Sequence, residues 1–469
     1  MGQHFIACDR EQTFLMPPDL RAWLPEGHLA WFVLDAVAQM DLSAFYGAYR
    51  QDGHGRPAFD PAMMVALLLY AYARGQRSSR GIERSCEEDV ACRVIAANQV
   101  PDHTTIARFR QHHEDALAGL FGDVLGMCAH AGLVQVGTIA IDGTKVHANA
   151  SEGANSDYEQ LARQILAEAD RIDEQEDARL GERRGDELPE HLVTGEGRAK
   201  YLAEARRHLE RQRAQQARPI PASRPQRLRE SKRRLEEELE LECCANVAYE
   251  ARHARGLMRD GRRIGRGQTP KPYTPPPTPQ GKINTTDPDS RNVKTPRGWV
   301  QGYNAQIATN AKHIVLAAEL TNSSADFGQL EPMVNAACSE LHAAGVTQAL
   351  DVVLADAGYW HTAQIQKILD RGIDLIVAPQ ARKRKTTRPG ADVGLFAFMR
   401  HVLQTPAGGE RYRRRSVMIE PVFGHTKFNR RIDRFQRRGR AACRSEWRLI
   451  TATHNLLKLH KHHLALTAP

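Results

Sequence analysis

Residues 138–149, "TIAIDGTKVHAN", place Asp142 at the end of an apolar run of small and β-branched residues and follow it at once with Gly143. The run reads as a buried strand. A carboxylate at such a strand end, where the chain is expected to turn, needs a partner, because burying an unpaired charge costs several kcal/mol or more. A metal ion would be one partner. An ordinary polar strand end is the other reading that this stretch leaves open.

The segment "ALDVVLADAGYW" (349–360) repeats the pattern: Asp356 follows an apolar run and precedes Ala357 and Gly358. Between the two, "GWVQGYNAQIATN" (298–310) and "HIVLAAELT" (313–321) alternate as strands joined by a turn near Asn310, and "FGQLEPMVNAACSELHAAG" (327–345) carries helical periodicity. Helical "HTAQIQKILDRG" and strand-like "IDLIVAPQ" follow. The order β, β, β, α, β, α, β, α predicts an α/β domain with a mixed sheet covered by helices. If the first and fourth strands are neighbours, Asp142 and Asp356 share one sheet edge, where two like charges repel unless a cation lies between them.

A third acid stands in "RYRRRSVMIEPVFGHTKFNRRIDRFQRRGR", where Glu420 is the sole carboxylate between Arg411 and Arg431. Its neighbours Val417, Val422 and Phe423 predict a helix packed on the sheet, with Glu420 near the inner face. Two turns on, Lys427 shares that face, as roughly does Arg431. Three carboxylates match the oxygen preference of Mg²⁺ or Mn²⁺. Two such ions about 4 Å apart can activate the attacking oxygen and stabilise the leaving one in a displacement at phosphorus.

Charge distribution points to the substrate. Net charge over 469 residues is +9, yet residues 381–450 alone hold 19 Lys and Arg against 5 Asp and Glu. A localised basic surface is the footprint of a phosphate-dense partner. "ARKRKTTRPG" from Ala381 reads as a basic loop touching phosphate nonspecifically. The longest apolar run, "AMMVALLLYAYA" from Ala62, is shorter than the roughly 20 residues of a spanning helix. Nothing at the N-terminus marks the chain for export, so a cytoplasmic protein is expected. The eight cysteines include no CxxC and predict neither disulfides nor a zinc ribbon.

Residues 1–135 read as helical. Asp60 and Pro61 open one helix, Ser78 or Ser79 another, and Asp102 a third. Thr104, Thr105, Arg108 and Arg110 would face a DNA groove if these helices form a helix-turn-helix unit; helical triplets that bind nothing are as common. Residues 151–289 differ: long charged helices and a Pro-rich end predict an inserted helical hairpin and linker. Asp287 and Asp289, on either side of Pro288, read as turn formers. Lys145 and His147 alternate on the strand beyond Asp142, within reach of a substrate or on a plain polar face.

With these residues in view, the chain resembles bacterial insertion-sequence transposases of the DDE superfamily. "RPAFDPAMMVALLLYAYARGQRSSRGIE" and "VPDHTTIARFRQHH" resemble the N-terminal domain of that group; "IDGTKVHANAS", "DPDSRNVKTPRGWVQGYNAQ", "ADAGYW" and "IEPVFGHTK" resemble its catalytic segments. The resemblance implies a ribonuclease H-like catalytic domain over 136–150 and 290–469, an N-terminal helical DNA-binding or dimerisation domain, and the insertion at 151–289. It implies Asp142, Asp356 and Glu420 as the triad holding two Mg²⁺ or Mn²⁺ ions, and Lys427 as a contact to DNA backbone. Related groups carry a Tyr seven and an Arg four residues before the Glu; here those positions hold Arg413 and Ser416, leaving Tyr412 and Arg415 as displaced counterparts.

The implied activity is cleavage at transposon ends with water as nucleophile, then joining of the freed 3′-hydroxyl to target DNA. The implied partners are double-stranded DNA and a second copy of the chain, without a membrane or a small-molecule substrate. Two rivals stay open: a nuclease of the same fold that never joins, and a non-catalytic DNA-binding derivative.

Overall fold

A computed structural model of the protein describes residues 5–6, 20–49, 57–180, 220–221, 223–256, 274–295, 298–380 and 394–467. The basic stretch from Ala381 to Gly390 lies outside the described residues, as does the part of the insertion between 181 and 219. The chain divides into two compact units, one of residues 1–149 and 292–469, the other of 150–291.

The first unit is built on one mixed sheet. Its strands are β1 (Thr138–His147), β2 (Arg291–Thr295), β3 (Gly298–Asn310), β4 (Val315–Thr321), β5 (Val352–Ala355) and β6 (Asp374–Val377). They lie in the order β6-β5-β1-β3-β2, with β4 also on β3. β6, β5 and β1 run parallel, whereas β1, β3 and β4 form an antiparallel meander. The parallel strands are connected through α9 (Leu330–Ala343) and α10 (Thr362–Leu369). The predicted element order is borne out, and the arrangement is ribonuclease H-like, as the resemblance implies.

One expectation is corrected. The chain does not turn at Gly143: β1 continues to His147, because β3 pairs with it along that whole length, His147 against Gly302. What ends near Asp142 is the parallel neighbour β5, whose last residue is Ala355.

The N-terminal helices belong to the same compact unit: α1 (Leu29–Ala38), α2 (Pro61–Ala73), α3 (Ser79–Glu88), α4 (Val90–Ile95), α5 (His103–His112) and α6 (Glu114–His130). The caps fall where expected, with Asp60 accepting from the Ala62 amide at 3.1 Å and Ser78 from Gly81 at 3.4 Å. Two breaks interrupt the helical periodicity. Asp89 accepts from the amides of Ala91 and Cys92 and so starts a new helix inside what reads as one amphipathic run, and His113 separates α5 from α6.

α2 is buried on nearly every side, and its hydrophobic all-round sequence requires such a place. Against it packs the C-terminal helix α13 (Arg440–Thr467). Buried cations fasten the two layers. Arg77 donates to Glu446 at 2.7 Å with both side chains almost fully covered, and Arg430 donates to the carbonyls of Tyr72 and Ile450 at 2.7 and 3.0 Å. Four arginines of the basic C-terminal stretch are thus structural: besides Arg430, Arg448 pairs with Glu340, Arg444 with Glu319 and Arg437 with Glu114.

In the second unit, α7 (Tyr158–Leu180) and α8 (Arg224–Ala254) run antiparallel, since Tyr158 bonds Glu236 and Glu168 pairs with Arg224. Leu161, Leu228, Leu235 and Ile283 form its core. Asp289 is ion-paired with Arg234, a structural role in keeping with the turn reading. Among the described residues no helix is long and apolar enough to cross a membrane.

Removing one partner of a buried pair strands the other charge. Glu446→Ala, which uncouples Arg77 and also frees the amides of Gln436 and Arg437, is expected to lower unfolding free energy by roughly 3–5 kcal/mol in urea denaturation. A loss below about 1 kcal/mol would show that this pair does not tie the layers.

Candidate active site

The site follows from the strand register. β1 pairs with β5 in parallel from Thr138 opposite Val352 to Ala140 opposite Leu354. Carried two residues further, that register puts Asp142 beside Asp356, with both side chains on one face because residues two apart share a face. Asp356 then caps a short turn of 3-10 helix, its Oδ1 accepting from the Gly358 amide at 2.8 Å.

Asp142 is held on its own side by Arg415, whose Nη1 donates to Oδ2 at 2.5 Å, while Oδ1 accepts from the Gly143 amide at 2.8 Å. Burial pushes the Asp142 carboxyl up to about 6; Arg415 opposes the rise and the negative charge of Asp356 adds to it. Arg415 comes from α12 (Pro406–Gly424), the helix after α11 (Gly394–Gln404). α12 lies on the sheet through Met418 and Ile419, which pack with Ala140, Val352, Leu354 and Ile376, and Tyr412 covers the same cluster. Tyr412 also stands against the Arg415 guanidinium, 5.9 Å from ring centre to Cζ. The displaced pair of the resemblance, Tyr412 and Arg415, therefore faces Asp142, whereas Arg413 is exposed and bonds its own helix.

Glu420 lies on the exposed side of α12, and Val417 is 66% exposed. The inner face is carried instead by Met418, Ile419 and Val422. Pro421 sits inside the helix and has no amide for the Val417 carbonyl. His313 Nε2 lies 3.1 Å from that oxygen and fills the gap.

Lys427 is reached not by continued α-helix but through a π-helical turn, His425–Asn429. Two turns of α-helix therefore do not relate it to Glu420, and a face shared by helical arithmetic does not apply. Half-buried, Lys427 donates to the Lys145 carbonyl at 2.7 Å, and burial lowers its pKa. Arg431 is exposed with left-handed backbone, φ 54°, beyond the helix.

Sequence reasoning missed a polar layer under the two aspartates. Asp326, in the loop after β4, accepts through Oδ1 from Asn304 at 2.7 Å, Gln306 at 2.8 Å and Lys145 at 3.4 Å. Tyr359, buried, donates to Gln306 Oε1, and burial beside Asp326, Asp142 and Asp356 raises its pKa well above the usual phenol. Gly143 is what lets this layer approach: a Cβ there would fall 2.7 Å from both Asn304 Oδ1 and Asp326 Oδ1. The only local signal was "YNAQ", amides at alternate positions of a strand that is otherwise buried.

At the N-terminal end, Thr104 and Thr105 both bond the capping Asp102, whose carboxyl they hold far below its ordinary pKa. Thr104 and Arg108 are exposed. Arg110 is not: it is buried and donates to the Arg77 carbonyl at 2.7 Å and to the Tyr72 hydroxyl at 3.1 Å, so its guanidinium serves the core and cannot face a groove.

The donors around Asp142 and Asp356 are carboxylate oxygens, the chemistry of a hard divalent cation. Among the described residues no three carboxylate, imidazole or thiolate groups already close around one point; the Arg415 guanidinium meets the Asp142 charge instead.

Two family models match the chain. Residues 18–112 match a transposase domain (DUF772), and residues 274–456 match a transposase DDE domain. The second match contains Asp356 and Glu420 and begins after Asp142. No curated protein and no solved structure gave a match. With a transposase domain at one end, a DDE domain at the other and a ribonuclease H-like sheet that brings the two aspartates together, the chain belongs to the insertion-sequence transposases of the DDE type.

Proposed function

We propose that this transposase cuts DNA at the ends of its element and joins the freed 3′-hydroxyl to target DNA, with Asp142, Asp356 and Glu420 as the catalytic acids. The observation that carries the reading is the placement of Asp142 and Asp356 side by side where β5 ends against the parallel strand β1, beneath a helix rich in arginine. In the first step water oxygen bonds to phosphorus and the bond to the 3′-oxygen breaks, leaving a 3′-hydroxyl and a 5′-phosphate. In the second, that hydroxyl attacks a target phosphodiester and releases a target 3′-hydroxyl.

Two Mg²⁺ or Mn²⁺ ions held by the three acids would supply activation of the attacking oxygen and stabilisation of the leaving one. The chain's own residues position the phosphate. Arg415 presents a planar fork that suits phosphate oxygens, and its place against Tyr412 restricts how it can turn. Lys427 spends one ammonium proton on the Lys145 carbonyl and keeps two donors for DNA backbone. Exposed Arg431, and Thr104, Thr105 and Arg108 on the N-terminal helices, extend the DNA contact, and Lys145 sits beside the acids. Two ends must be brought together, so the active form is a homodimer on DNA.

Incubating the full chain and Mg²⁺ with a labelled end-containing duplex and a target plasmid is expected to give joined products. Cut but unjoined ends would make it a nuclease, and uncut DNA with retained binding would make it a binding protein. Asp142→Asn, Asp356→Asn and Glu420→Gln are each expected to abolish cleavage while DNA binding persists. A variant that cuts normally would remove its acid from the site.

Only the ionised Asp142 carboxylate can take a cation. Mn²⁺ affinity is therefore expected to climb as pH rises through about 6 and to level off above it. In a carbon-13 NMR titration of the metal-free protein, Asp356→Asn should lower the Asp142 midpoint and Arg415→Gln should raise it. Midpoints unmoved by both would contradict the charge pairing described above.

A further inference from the structure

We propose that Asp326 is a further carboxylate of the active site, a residue that helps bind the divalent cation. The inference rests on the reading of Asp142 and Asp356 as ion-binding acids. Asp326 Oδ1 takes three donors, from Asn304, Gln306 and Lys145, which fixes the plane of the carboxylate. Oδ2 is turned toward the turn that carries Asp356. A Cβ placed on Gly358 would meet Asp356 Oδ1 at 3.0 Å and Asp326 Oδ2 at 3.4 Å, so the two oxygens flank one small space that glycine keeps open.

A second observation points to a cation there. Asn304 is fully buried, its amide N–H is spent on Asp326, and its Oδ1 has no hydrogen-bond partner. That oxygen lies beside Gly143, at the same 2.7 Å from an ideal Cβ as Asp326 Oδ1. A buried acceptor without a partner is costly, and this one lies beside the Asp326 carboxylate, with the Gln306 amide nitrogen also at the same position. The acceptors of this corner, Asp326, Asp356 and Asn304, call for positive charge beyond that of the Lys145 ammonium at 3.4 Å. Outer residues that orient the ligands of a metal commonly govern its affinity.

The test is Mn²⁺ binding by the full-length chain without DNA, followed through the electron paramagnetic resonance signal of free Mn²⁺. Asp326→Asn keeps an oxygen acceptor for Asn304 and Gln306, and is expected to weaken binding about 10- to 100-fold with little change in the melting temperature of the metal-free protein. A purely structural loop tie would move the melting temperature and leave affinity alone. If the Asn variant does not fold, Asp326→Glu, which keeps the charge and shifts the oxygens by one carbon, is read in the same way. Wild-type affinity in the Asp326 variant, with weakened binding in Asp142→Asn, would overturn this proposal alone. Unchanged affinity in both variants, or no binding by the wild type, would overturn the underlying reading as well.

Discussion

Two carboxylates brought side by side by a parallel strand register repel each other, and burial makes that repulsion harder to screen. Asp142 carries both burdens: burial first, with the Asp356 charge adding to it, pushes its carboxyl up to about 6 despite an arginine 2.5 Å away. The surrounding elements answer this one constraint. α12 delivers Arg415 from above, the cap of Asp356 delivers a backbone amide, and the Asn304 and Gln306 amides form a floor on which a third carboxylate is oriented. None of these contributions is available to an isolated strand pair.

The rest of the compact unit holds those elements still. α13 runs behind β3 and β4, and Trp447 donates to the Gln306 carbonyl at 3.1 Å, on the strand that forms the polar floor. Asn455 clasps the backbone of Val315 through both its amide nitrogen and its oxygen. Arg430, the residue directly after the π-helical turn that carries Lys427, is locked into the α2–α13 boundary. A π-turn is a costly departure from α-helix that recurs at functional sites. Here it moves Lys427 down to the edge of β1, three residues beyond Asp142.

Some of this was legible in the sequence for clear physical reasons. The sheet was readable because its strands are short apolar runs bounded by turn residues, and Asp142 and Asp356 stood out because each interrupts such a run before a small residue. The extent of β1 was not, because Gly143 reads as a turn when its real cause is a close approach by Asn304 and Asp326, residues more than 150 positions away. Asp326 itself sits in "NSSADFG", which carries no periodicity, so only the fold shows its place. Arg110 illustrates the opposite failure: helical spacing marks a face but cannot say whether core or solvent covers it, and a buried arginine with carbonyl partners looks the same in sequence as one awaiting phosphate. The apolar neighbours of Glu420 predict an inward side chain, yet the inner stripe of α12 passes on either side of it, through Met418 and Ile419 before and Val422 after.

The most direct measurement of whether Asp142 and Asp356 form one cation site is affinity cleavage. Fe²⁺ substituted for Mg²⁺, with ascorbate and peroxide, cuts a polypeptide backbone next to the bound ion, and mass spectrometry locates the cuts. Cuts clustered around residues 142 and 356 that vanish on adding excess Mg²⁺ are expected. Cuts scattered over the chain, or confined to segments far from both aspartates, would contradict a shared cation site.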